Sequence, residues 1–222
     1  MALSRVKTGI SGLDDLIGGG LIPGSAVLVS GHTGAGKTLF CLQFLWHGLQ
    51  KGEPCVYVTF EQSPEEVKED AMMFGWNFDA YERKKMCKIV FYDPLEIADT
   101  NKLIVDEVKK IGAKRLVIDS TSVFAMYVRD EFKVREKIYR LVQSLKKTGC
   151  TILMTSEVTE SSKGFSRYAI EEFIADGVIG LYYTGLGGEE FNNIEIRKMR
   201  RTKHARGYFP LEFTASGLRV VV

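Results

Sequence analysis

The chain has 222 residues, of which 45% are hydrophobic and 26% charged, a composition typical of a globular protein long enough for one α/β domain. Lysine and arginine total 30 against 28 for aspartate and glutamate, so the net charge of +2 gives no general affinity for nucleic acid or an anionic membrane. The four cysteines lack the C-x-x-C spacing of a zinc site, and no apolar run is long enough to span a bilayer. We therefore expect one cytoplasmic domain over residues 1–222, with reduced cysteines and no membrane or nucleic-acid partner.

Short apolar runs alternate with segments of helical periodicity along most of the chain. This alternation predicts an α/β fold with a mostly parallel central sheet and helices on both faces. After Asp176 only strands are predicted, and they indicate antiparallel hairpins that extend one edge of the sheet. The predicted strands are 26–30, 54–60, 87–92, 115–119, 151–155, 178–183, 194–200, 209–213 and 218–222, and the predicted helices are 38–50, 64 to about 74, 101–111 and 134–147.

One segment carries a nucleotide-binding pattern. Residues 31–38 read GHTGAGKT and satisfy G-x-x-x-x-G-K-[ST], between a predicted buried strand and a predicted helix. Glycines let successive N–H groups point at phosphates, while Lys37 would bridge the β- and γ-phosphates and Thr38 would hold Mg²⁺. The alternative is a flexible turn between two core elements. The residues expected to bind ATP or ADP here are Gly31, His32, Thr33, Gly34, Ala35, Gly36, Lys37, Thr38 and Leu39.

Two carboxylates are placed to complete a magnesium-dependent site. Asp119 ends an apolar strand, where a P-loop protein carries the carboxylate that holds Mg²⁺, although it could instead cap the following turn. The next residue is Ser120, so an acidic pair that would combine metal binding with base catalysis is missing there. Glu61, after the second strand, is therefore the expected general base for the attacking water. Its alternative role is a surface acid near a helix start.

A basic stretch lies further along the chain. Residues 194–204 read IEIRKMRRTKH, and in an extended strand Lys198, Arg200, Thr202 and His204 would share one face. Because a single P-loop domain leaves the γ-phosphate partly open, these cations could complete a site on a neighbouring subunit. A solvated basic edge that discourages strand pairing and a local nucleic-acid patch are equally compatible with this stretch.

Several motifs occur in a fixed order along nearly the whole chain. They are TGISGLDDL at 8–16, the P-loop at 31–38, FEQSP at 60–64, FGW at 74–76, IDS at 118–120, RYAIEEF at 167–173, and KMR at 198–200 leading to the histidine at 204. The P-loop alone is shared by many families, but the ordered set is specific. In this set the chain resembles the KaiC-like branch of the RecA-type ATPases, in its single-domain form.

The resemblance implies a RecA-like P-loop core and a ring, usually a hexamer, with ATP and Mg²⁺ bound between identical subunits. It implies modest ATP hydrolysis rather than rapid motor turnover. One subunit would supply Lys37 and Glu61, and the next subunit would supply catalytic cations. The residues that reach across, by this resemblance, are Lys198, Met199, Arg200, Thr202 and His204.

Two positions depart from the family's pattern. Two adjacent acids usually follow the second strand, whereas this chain has Glu61 and Gln62, and an amide cannot take a proton. A small residue usually stands where this chain has Arg201. We therefore expect slow hydrolysis, with a nucleotide-gated scaffold as the alternative. A DNA strand-exchange protein is disfavoured by the near-neutral charge.

Overall fold

One nine-stranded sheet organises the described part of the chain. The computed structural model describes residues 4–93, 100–125, 130–158, 166, 171–186 and 189–222, so residues 167–170 of the RYAIEEF motif lie outside the described ranges. The strands are β1 Ala26–Gly31, β2 Cys55–Thr59, β3 Cys87–Phe91, β4 Arg115–Asp119, β5 Thr151–Glu157, β6 Gly177–Leu186, β7 Glu189–Met199, β8 Tyr208–Thr214 and β9 Gly217–Val220.

The order across the sheet is β3-β2-β4-β5-β1-β6-β7-β8-β9. Neighbours from β3 to β6 pair in parallel, whereas β7, β8 and β9 follow as antiparallel hairpins along one edge. This arrangement confirms the predicted fold class. In an open parallel sheet the ligand site lies beyond the carboxyl ends of the strands, which here carry the P-loop and Asp119.

Side chains cap the starts of two of the longer helices. Ser63 and Glu66 form a capping box at the start of α3 (Pro64–Met72), and Asp130 caps α6 (Glu131–Lys146) by accepting two backbone N–H groups. None of the helices in the described ranges combines the length and apolarity needed to cross a membrane. The helices are α1 Leu13–Leu16, α2 Lys37–Gln50, α3 Pro64–Met72, α4 Phe78–Arg83, α5 Thr100–Ile111, α6 Glu131–Lys146 and α7 Glu171–Ile174.

Two apolar cores cover the two faces of the sheet. Alternate strand residues such as Val27 and Tyr57 pack against α2 and α3, while their neighbours Ala26 and Val56 pack against α5 and α6. This alternation follows from the pleat, which directs successive side chains to opposite faces. All four cysteines are buried and free.

One prediction about the basic stretch is wrong. Strand β7 ends at Met199, and Arg201 adopts a positive φ of 55°, so the extended strand does not continue to Thr202 and His204. The predicted single face that joins Lys198, Arg200, Thr202 and His204 is therefore broken by a turn. Helices α1, α4 and α7 were not predicted, because four to six residues are too few for helical periodicity to show.

Candidate functional site

The P-loop bends sharply into the first turn of α2. Gly34 and Gly36 have φ values of +81° and +89°, a backbone conformation that side chains disfavour. A Cβ atom on Gly36 would also lie 2.8 Å from Cζ of Phe213. Gly36 is the N-cap residue of α2, whose first N–H groups have no partner inside the helix. A helix start exposed at a cleft in this way is an anion-binding arrangement.

Lys37 folds back onto its own loop. Its ammonium donates to the carbonyl oxygens of Gly31 and His32, both at 2.9 Å. Burial lowers the pKa of Lys37, while the charge of Glu157 and of two other cleft carboxylates opposes that shift. Phosphate oxygens would be stronger acceptors than the two carbonyls because they are charged. Lys37 is thus held within the loop in a position from which it can turn to a nucleotide.

His32 makes a contact that the sequence did not predict. Its Nδ1 lies 3.0 Å from the carbonyl oxygen of Val158, so this ring nitrogen carries a proton and donates it. The bond ties the start of the P-loop to the end of β5, next to the pairing of Gly31 with Glu157.

The Asp119 carboxylate accepts hydrogen bonds from hydroxyl groups on three elements. Thr38 Oγ1 donates to Oδ2 at 2.9 Å, and Tyr57 Oη donates to the same oxygen at 2.5 Å. Thr155 Oγ1 donates to Oδ1 at 2.5 Å. An ionised carboxylate can only accept, so all three hydroxyls are donors here. The Thr38 oxygen therefore keeps lone pairs for a cation, and hydroxyl and carboxylate oxygens suit Mg²⁺.

Glu61 and Gln62 lie on the turn that follows β2. Thr59 Oγ1 accepts from both of their N–H groups, at 3.3 and 3.1 Å, and donates to the Gln62 carbonyl at 2.9 Å. Ser120 Oγ donates to Glu61 Oε1 at 2.7 Å. The Gln62 amide donates to Asp70 at 3.1 Å. The turn holds Glu61 and Gln62 side by side in the cleft wall, with Glu61 beside the end of β4.

These groups line one cleft of about 560 Å³. Its lining combines polar groups, among them Lys37, Thr38 and Asp119, with apolar side chains, among them Leu39, Met73 and Phe74. Phe74 stacks on Trp76 with ring centroids 5.0 Å apart, which fixes one of these apolar side chains. A cleft with this mixed lining suits a ligand with a charged end and a flat apolar end.

Lys198 lies at the end of the sheet where the parallel strands begin, which is the far edge as seen from the P-loop. Met199 pairs with Gly177, which pairs with Val27 near the start of β1, whereas the P-loop follows the end of β1. Four residues of β1 separate the two levels, which is about 13 Å along the strand. The Lys198 ammonium donates to the carbonyl oxygens of Glu172 and Ala175 at 2.9 and 2.7 Å. The structure therefore does not bring Lys198 to the P-loop of its own subunit.

Arg200 lies at the same far edge. Its guanidinium is 3.8 Å from a carboxylate oxygen of Asp176, and the Arg200 side chain keeps 54% of its surface exposed. Asp176 is buried, which alone would raise its pKa, but bonds from Lys146 and the Ala26 N–H lower that pKa below its ordinary value. Asp176 is thus a charged anchor beside an outward-facing arginine.

Thr202 and His204 follow in the loop after β7. Thr202 Oγ1 accepts from Arg5 at 2.7 Å, and His204 Nδ1 donates to the Ala205 carbonyl at 2.8 Å. Both residues belong to the far edge with Arg200, although they do not share a strand face with it.

Sequence reasoning missed three groups that act on residues of the cleft. Tyr57 and Thr155 bond to Asp119, and Glu157 contributes the largest carboxylate effect on the Lys37 pKa. Glu157 ends an apolar strand just as Asp119 does, and this signal could have identified it. The contact of Tyr57 with Asp119 depends on the register between β2 and β4, which a single sequence does not contain.

Comparisons with known proteins show the family to which the chain belongs. The family model for the KaiC ATPase matches residues 6–222. The chain belongs to the KaiC family of ATPases. A UPF0273 protein of Thermotoga maritima is 37% identical over 97% of this chain and 95% of its own length. The circadian clock protein KaiC of Synechococcus elongatus is 36% identical over 99% of this chain, which spans 44% of that protein.

A solved structure extends the comparison to three dimensions. The KaiC-like protein of Pyrococcus horikoshii has a TM-score of 0.91 and 39% identity, with full coverage of both chains. The RecA-like α/β fold of the KaiC-like ATPases is therefore shown for this chain, and with it membership of a nucleotide-binding family.

Proposed function

We propose that this protein is an ATPase dependent on Mg²⁺, with slow hydrolysis at active sites formed between identical subunits of a ring, a hexamer by the family resemblance. The observation that carries the proposal is the separation of two sets of charged groups. The P-loop, Glu61 and Asp119 lie at the edge where the parallel strands end. Lys198 and Arg200 lie at the far edge, where those strands begin. A ring that places one edge against the opposite edge of the next subunit would bring the two sets together.

The P-loop residues would hold the nucleotide by its phosphates. Backbone N–H groups at the start of α2 and the Lys37 ammonium would bind phosphate oxygens, and the base would lie against Leu39, Met73 and Phe74. Thr38 and Asp119 would hold Mg²⁺, which supplies positive charge to the phosphates during transfer.

Glu61 would act on the attacking water. Ser120 fixes one of its carboxylate oxygens, and the other has no partner among the described residues. That oxygen could orient a water and accept its proton. Lys198 and Arg200 of a neighbouring subunit would stabilise charge on the transferred phosphoryl group.

A nucleotide-gated scaffold is the second candidate. Gln62 favours it, because an amide in the cleft beside Glu61 cannot serve as a base. In that case ATP binding would stabilise the ring or a partner surface, with almost no release of phosphate.

Substitution of Lys37 tests the proposed nucleotide site. Lys37→Ala should weaken ATP binding by about 10- to 100-fold, because a charged hydrogen-bond donor to phosphate is lost. Lys51→Ala, at the other end of α2, is the matched control and should bind ATP as the wild-type protein does. Binding of a fluorescent ATP analogue measures the effect, and unchanged affinity in Lys37→Ala would refute the proposed site. Phosphate release from the wild-type protein then distinguishes the two candidate functions. A rate above background favours the ATPase, and a background rate favours the scaffold.

A further inference from the structure

The hydroxyl of Tyr57 contacts Asp119 from within the core. Tyr57 is fully buried, and its Oη lies 2.5 Å from Asp119 Oδ2, the oxygen that also accepts from Thr38. A buried hydroxyl is costly unless it is bonded, and a phenylalanine would fill the same space without that cost. The hydroxyl therefore has a role that apolar packing does not explain.

The sheet register places this hydroxyl at the carboxylate. Tyr57 pairs with Val117 in the parallel neighbour β4, and Asp119 lies two residues beyond Val117 on the same face. The diagonal distance between such positions is within reach of an aromatic side chain. Tyr57 thus reaches Asp119 from within the sheet, on β2, whereas Thr38 reaches it from the first turn of α2.

We propose that Tyr57 is a positioning residue that orients the Asp119 carboxylate for Mg²⁺ binding. This inference rests on the proposed function, since it assumes that Asp119 and Thr38 hold the ion. Tyr57 and Thr155 bond to different oxygens of the carboxylate and so limit its rotation. With the carboxylate held, Thr38 keeps donating its proton to it and keeps its lone pairs for the cation.

Tyr57→Phe tests the inference by removing one oxygen atom and leaving the ring. The concentration of Mg²⁺ needed for half of the magnesium-dependent gain in binding of a fluorescent ATP analogue should rise about tenfold, as is typical when a partner of a metal ligand is lost. Affinity for the same analogue in EDTA should not change, because Tyr57 lies outside the phosphate-binding loop.

Tyr182→Phe is the matched control. Tyr182 also donates to a carboxylate, that of Glu195 at 2.9 Å, but Glu195, unlike Asp119, does not line the cleft. Its magnesium titration should match that of the wild-type protein. Thr155→Val, which removes the donor to the other oxygen, should shift the titration in the same direction as Tyr57→Phe and provides the test if Tyr57→Phe fails to fold.

Two results overturn the inference and are distinguishable. If the wild-type protein gains no affinity from Mg²⁺, the proposed magnesium site fails and the role of Tyr57 fails with it. If the wild-type protein responds to Mg²⁺ and the folded Tyr57→Phe and Thr155→Val variants respond at the same concentration, only the positioning role is refuted.

Discussion

Gln62 is the residue at which hydrolysis would be limited. It lies in the cleft wall beside Glu61, but its amide is bonded to Asp70 and cannot accept a proton from water. A carboxylate at position 62 would add a second potential base at the same place on the turn after β2. The amide thus leaves the binding groups intact while it removes one route to proton transfer.

Gln62→Glu should therefore raise the rate of phosphate release by at least about tenfold, since a positioned base typically contributes a factor of 10² or more. The measurement is the initial rate under saturating Mg-ATP. The new carboxylate would face Asp70 and be repelled by its charge. The double variant with Asp70→Asn removes that repulsion and leaves the effect of the added base, and Asp70→Asn alone is the control. A rate that stays at the wild-type value in both Gln62→Glu backgrounds would refute the proposed limit that Gln62 sets on turnover.

At the scale of elements, the end of β7 carries the cations assigned to the neighbouring subunit. Lys198 is anchored on carbonyl groups at the end of α7, and Arg200 lies beside Asp176 with half of its side chain exposed. Burial and the nearby charge of Arg200 lower the pKa of Lys198, whereas Asp176 and Glu172 oppose that shift. A rigid strand end therefore presents Arg200 outward from the subunit.

Arg200→Ala should lower phosphate release about 10³-fold, the smaller of the effects seen for arginines that act on a transferred phosphoryl group. Thermal stability should change little, because the Arg200 side chain is more than half exposed. Arg197→Ala is the matched control, since Arg197 is also an exposed arginine but lies 3.8 Å from Glu195 rather than beside Asp176. Wild-type turnover in Arg200→Ala would refute the shared site.

At the scale of the molecule, the two halves of the proposed site lie at opposite ends of the parallel strands of one sheet. A subunit cannot fold back to join them, because β1 and β6 are paired in register along their length. The proposed site would therefore need a second copy of the chain to be complete.

A mixing experiment tests this requirement. Lys37→Ala and Arg200→Ala should each be inactive, but an equal mixture reassembled from dissociated subunits should regain about a quarter of the wild-type activity, because a quarter of the interfaces then pair two intact halves. Specific activity of the wild-type protein should also rise with protein concentration and then level off. Mixtures that remain inactive, although both variants assemble together, would contradict a site shared between subunits.

Much of the fold was predictable from local patterns. The long helix α6 shows apolar residues at helical spacing, α2 is an apolar run without a breaker after the P-loop, and β1 is a continuous apolar run. The short helix α4 and the turn after β7 were not predictable. The turn at Arg201 depends on one residue in a left-handed conformation, which has no signature in a basic stretch.

The P-loop, its flanking strand and helix, and the two carboxylates at strand ends were readable from the residues themselves, because each is a local pattern tied to the direction of one strand. The contact of Tyr57 with Asp119 and the position of Lys198 and Arg200 at the far edge required the folded chain. Both depend on which strands become neighbours and in what register, and pairing between distant segments is set by the packing of the whole sheet.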